Sequence, residues 1–151
     1  MRQKVTDMKL RICILTILTL TTTTLYGQVI EKCDGAILLR TSERIGKLKQ
    51  DEIRDFLLTF GPECKNNVEY SEWSNELLFS LLDKQTELTL KTIEKEERKI
   101  EMNEILNDLN SPINDLIDIK EIIVKVDNVK MNKRFKDRII EQLKSAESKM
   151  N

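Results

Sequence analysis

Apolar positions recur at helical spacing along most of the chain, and the places where the period breaks are occupied by turn formers. Between Gln50 and Phe60, the residues Ile53, Phe56, Leu57 and Phe60 fall at i, i+3, i+4 and i+7, which defines one face of a helix. Gly61-Pro62 ends that helix, since glycine suits the left-handed C′ position and proline cannot continue the helical hydrogen bonding. Upstream, Ile37, Leu38, Ile45 and Leu48 predict a first helix within Asp34–Leu48, interrupted near Thr41-Ser42 and Gly46. Downstream, Phe135, Ile139, Leu143 and Ala146 form a stripe that predicts a final helix from about Asn132 to Met150.

The middle of the chain is less sharply punctuated. Glu63 to Tyr70 is polar and expected to be a loop, with Ser71 as N-cap of the next helix and Glu72 in its first turn. From Leu77 through Leu81, Leu88, Ile93, Ile100 and Ile105 to Leu109, apolar residues recur with no glycine or proline before Pro112. One long helix satisfies this pattern. So do shorter helices broken near Asp83–Thr86 and Lys95–Lys99, and these are preferred because a small domain has little to pack against so long a rod. Ser111-Pro112 pairs an N-cap acceptor with proline at N1, and predicts a helix running to about Asp127. The Ile122, Ile123, Val124 and Val126 cluster is assigned to that helix, since a lone strand would have no partner.

Composition agrees with the periodicity. Four glycines, two prolines, 34% charged and 5% aromatic residues describe an all-α protein, because a sheet protein needs more turn residues and more aromatics. The expected architecture is an irregular bundle or a short stack of about six to seven amphipathic helices. The succession of short helices with tight polar turns resembles the helical hairpins of HEAT-like solenoids, in architecture only, since no fixed period repeats.

The first 27 residues differ from the rest. Arg2, Lys4, Lys9 and Arg11 against Asp7 form a positive start, Ile12 to Leu20 an apolar run, and Thr21 to Gly27 a transition toward a small residue. Together they predict a secretory signal peptide spanning 1–27 and cleaved after Gly27. The run is too short and threonine-diluted to favour a retained anchor, and neither Cys13 nor Cys33 is placed for lipid attachment. The Tyr26-Gly27-Gln28 junction resembles signal-peptide ends of bacterial envelope proteins, so the expected location is periplasmic or secreted.

Cleavage changes the charge and the cysteine count. It leaves residues 28–151 as one helical domain of 124 residues, with 21 basic and 25 acidic side chains and a net charge of −4. A mildly acidic domain lacks the attraction that supports nonspecific nucleic-acid binding or recruitment to an anionic membrane, so neither partner is expected. Cys33 and Cys64 are the two cysteines left, and an oxidising compartment pairs them. They lack Cys-x-x-Cys spacing, which makes a structural staple the preferred reading over a redox couple or metal site.

No catalytic residue, metal ligand or cofactor motif is assigned. The chain has no histidine, which removes the commonest general base, metal ligand and triad member. The acids of Glu94 to Glu101 alternate with bases as on a solvated helix face. Asp108, Asn110, Asn114 and Asp118 are closely spaced oxygen donors, but Ile113 and Ile119 occupy positions where a calcium loop needs glycine and glutamate.

Tyr70 and Trp73 stand near the start of the third helix and are the candidate partner surface, provided they are exposed; the competing reading has Trp73 and Phe79 closing the end of the core beside Cys64. The expected function is a non-enzymatic, exported protein–protein interaction module, either an envelope accessory or an inhibitor or immunity-type protein. A small carrier of an apolar ligand is the alternative. An enzyme relying on carboxylates alone comes third. The oligomeric state is left open.

Overall fold

The computed structural model describes residues 30–150, so the expected leader and its cleavage point lie outside the described residues. Among the described residues there are seven α-helices and no strand, in agreement with the all-α expectation. The helices are α1 (Gly35–Glu43), α2 (Gln50–Leu58), α3 (Val68–Lys84), α4 (Thr86–Glu96), α5 (Met102–Leu109), α6 (Ile119–Asn128) and α7 (Lys133–Met150). A 3-10 turn, Pro62–Asn66, joins α2 to α3.

The longest apolar face organises the packing. On α3, Leu78, Leu81 and Leu82 are fully buried and Leu77 nearly so, and this helix touches α1, α4, α5, α6 and the 3-10 turn. Most of the remaining packed pairs are neighbours or next neighbours in the chain, as in a hairpin stack, but the contact of α6 with α3 closes the array into a bundle. The stripe on α7 is buried as its spacing requires, with Ile139, Leu143 and Ala146 at zero exposure against α5 and α6. A single apolar cluster extends from Ile37 to Ala146.

Local chemistry sets the helix ends. The Asp34 carboxylate accepts from the N–H groups of Ala36 and Ile37 and starts α1, while Asn132 accepts from Phe135 N–H and starts α7. Gly46 adopts φ +82°, a conformation that favours glycine, in the turn after α1. The expected breaks in the 71–109 stretch are present, at Gln85 and between Glu96 and Met102.

Cys33 and Cys64 form a disulfide with Cα atoms 5.5 Å apart, joining the segment before α1 to the 3-10 turn. Cys33 itself sits at φ 59°, and its N–H donates to the Thr59 carbonyl at 2.8 Å.

Three expected boundaries are corrected. Gly61 is extended, at φ −166°, and is not a left-handed cap; the Glu63 carboxylate packs where a Cβ would stand. The third helix begins at Val68, not Ser71. Asn67 takes the cap by accepting from Tyr70 N–H at 3.1 Å, and the Ser71 hydroxyl instead donates to the Cys64 carbonyl at 2.9 Å.

Ser111-Pro112 does not start a helix. Asn75 on α3, 2% exposed, donates to the Asp108 and Ser111 carbonyls and accepts from Ile113 N–H, so those backbone groups are committed to a tertiary contact. The helix is delayed to Ile119, where the Asp118 carboxylate accepts from Glu121 N–H at 2.9 Å.

A candidate partner surface around Trp73

With α3 starting at Val68, its first turns divide their side chains between two environments. Tyr70, Ser74, Leu77 and Leu78 face inward and are buried, while Val68, Glu69, Glu72 and Glu76 are exposed. Tyr70 is therefore withdrawn from the candidate surface. It is 4% exposed and its hydroxyl shares a 2.6 Å hydrogen bond with Thr59 Oγ1. Burial pushes its phenol up to about 12, against the opposing effect of the Thr59 hydrogen bond.

Trp73 occupies the border. It is half-buried, packs against the core, and lines a shallow groove with Val68, Glu69, Glu72, Glu76 and Ile113. Val68 is 63% and Ile113 47% exposed. The opposite wall is the irregular segment after α5, held by the Asn75–Ile113 hydrogen bond and by the Asn114 amide, which donates to Glu76 Oε1 at 3.4 Å. Three residues beyond Ile113, Leu116 is 91% exposed, in a second depression that also includes Asp115, Asp118 and Met150.

Exposed Val68 and Ile113 thus flank the half-buried Trp73 in a short strip bordered by the Glu69, Glu72 and Glu76 carboxylates, while Leu116 lies apart in the depression that Lys120 also lines. Among the described residues neither Glu69 nor Glu72 has an ion-pair partner. The base nearest in sequence, Lys65, is engaged 3.2 Å from Glu104.

Sequence reasoning found Trp73 and missed Val68, Ile113 and Leu116. Val68 falls in the stretch expected to be a polar loop, and Ile113 and Leu116 fall inside the helix expected from Ser111.

Other acids give no comparable site. Asp108 is half-buried on α5, and burial, reinforced by the neighbouring Glu104 carboxylate and opposed by Lys65, pushes its carboxyl up to about 7. These two acids converge, yet neither lines the Trp73 groove or the Leu116 depression. Glu96 departs from the solvated face expected for Glu94 to Glu101. It is 5% exposed and accepts from Lys99 at 2.8 Å, a hydrogen bond that holds its carboxyl below the ordinary value.

The wider clefts are surface features bordered by charge, one by Lys84, Glu87, Lys125 and Lys130, the other by Lys32, Asp34, Arg40, Arg54 and Lys99. Their linings mix these charges with apolar side chains, Leu88 and Val129 in the first and Ile30, Ile37 and Leu58 in the second. Among the described residues no group of three or more acids or cysteines is placed to hold a metal ion, and no helix is long and apolar enough to cross a membrane.

The fold and this surface define a disulfide-stapled, all-helical bundle with an acid-bordered apolar strip. Comparison with protein-family models, curated proteins and solved structures returned no match.

Proposed function

We propose that the protein is exported and works by binding another protein, as an envelope accessory or as an inhibitor or immunity-type protein, without catalysing a reaction. The observation that carries this reading is the groove in which exposed Val68 and Ile113 flank the half-buried Trp73. Adjoining apolar side chains left in water are a cost that contact with a partner removes, and such patches characterise interaction sites. The scaffold beneath is suited to the task, because Asn75 and the disulfide hold the strip's supporting segments without a ligand. The leader-like first 27 residues and the Cys33–Cys64 pair support an oxidising, extracytoplasmic location.

The test is site-specific photo-crosslinking in the producing cell, with the crosslinker placed in turn at 72, 116, 124 and 144. A discrete protein adduct from at least one position supports the reading, and no adduct from any of them overturns it. Intact mass of the recovered protein tests export directly. A mature chain beginning at Gln28 is expected, and an uncleaved leader would contradict the proposed location.

A further inference from the structure

We infer that the Trp73 groove receives a cationic, apolar-anchored segment of the protein partner, with Trp73, Val68 and Ile113 taking its apolar side chain and Glu69, Glu72 and Glu76 its lysines or arginines. This rests on the protein-binding reading above and specifies the chemistry of the partner.

Charge complementarity selects the occupant. The groove has three carboxylates and no cation in its lining. Covering carboxylates with a neutral or acidic surface desolvates them without compensation, whereas a cationic segment pairs with them. Glu69 and Glu72 have no ion pair within the described chain to give up, and Glu76 is engaged only by the Asn114 amide.

The apolar side chains show that charge alone is not the recognition. Val68 and Ile113, 63% and 47% exposed on opposite walls, require apolar groups on the partner as well. A basic amphipathic segment meets both demands. An anionic membrane does not, because the same carboxylates would face its headgroups. A two-fold contact with a second copy would set this acidic rim against itself.

The direct experiment follows emission of Trp73, the chain's single tryptophan, while the full mature protein is titrated with three peptides of equal length. One is a leucine–lysine amphipathic helix, one has every lysine replaced by glutamate, and one has every leucine replaced by serine. The leucine–lysine peptide is expected to bind and shift the emission, and the other two to fail. Glu69→Lys with Glu72→Lys should weaken binding by about tenfold or more, and Ile113→Ser should weaken it too. All three positions are exposed, and circular dichroism checks that the fold is kept.

Equal binding of the glutamate peptide, or binding untouched by the double charge reversal, overturns the inference. The crosslinking positions separate its failure from that of the reading beneath it. Adducts through 124 or 144 alone leave a protein-binding function with a different surface, whereas no adducts at all remove the function itself.

Discussion

The carboxamide of Gln85 pairs with both backbone polar groups of Leu48, accepting from its N–H at 3.1 Å and donating to its carbonyl at 2.8 Å. Gln85 lies at the break between α3 and α4, and Leu48 in the turn before α2, so one side chain closes two chain breaks against each other. The arrangement replaces what a neighbouring strand would supply in a sheet protein. Gln85→Ala is expected to lower stability by about 1 to 2 kcal/mol, because both partners of Leu48 are lost together. Gln85→Glu should cost at least as much, since a carboxylate has no N–H for the Leu48 carbonyl and stands against it. Urea denaturation measures both, and variants indistinguishable from the parent would show that water replaces the amide without cost.

Asn75 does similar work for the wall of the Trp73 groove. Its amide serves the Asp108 and Ser111 carbonyls at 3.0 and 3.2 Å and the Ile113 N–H at 3.2 Å, from a position 2% exposed. Asn75→Leu keeps the approximate volume but leaves those backbone groups to find water, and is expected to cost about 2 to 3 kcal/mol. Hydrogen exchange at Ile113 should accelerate more than exchange in the core of α7, which distinguishes a loosened wall from general destabilisation. Uniform acceleration across both would refute a local role for Asn75.

These two side chains also show where reading the residues in order succeeds and fails. The α7 stripe and the breaks between Leu77 and Leu109 follow from spacing and from neighbours in the chain, and they are present in the fold. Ser111-Pro112 carries an equally good local signal, yet it is overruled by a hydrogen-bond partner on α3, 36 residues away from Ser111. A contact of that kind leaves no local trace.

The misplacement of Tyr70 has a related origin. Starting α3 at Ser71 leaves Tyr70 in a loop, whereas a start at Val68 places it one turn before Ser74 on the buried face. Trp73, three residues on, stays at the border under either start. Part of the candidate surface was therefore legible, and the strip that gives it meaning was not.

Loss of the Cys33–Cys64 disulfide should be felt through the unfolded chain. The bond closes a sequence separation of 31, for which loop-closure entropy amounts to about 3 to 4 kcal/mol. A Cys33→Ser, Cys64→Ser double variant should accordingly unfold at lower denaturant concentration, with its transition otherwise cooperative. Reducing the parent protein should reproduce the shift. A double variant as stable as the oxidised parent would mean that the segment before α1 is held by the Cys33–Thr59 backbone hydrogen bond and packing alone.

Asp108 predicts an unusual pH dependence. Its carboxyl is raised from 3.8 to about 7, chiefly by burial, so the folded protein binds a proton there that the unfolded chain has already released. Between about pH 4 and about pH 7 the folded state therefore holds more protons, and stability contributed by this group falls as pH rises, levelling above 7. The lowered carboxyls of Asp83 and Glu96 act in the opposite sense, losing their contribution as pH falls through their folded values, below the ordinary carboxylate range. The two effects occupy separate windows. Asp108→Asn removes the ionisation at nearly constant shape, and should leave the variant more stable than the parent at about pH 8 by about 1 to 2 kcal/mol, reduced from the full displacement because water reaches part of the side chain. At about pH 4 the two proteins should converge. Urea midpoints of both proteins across this range decide the matter, and parallel curves would show that the Asp108 carboxyl ionises in the folded protein as it does in the unfolded chain.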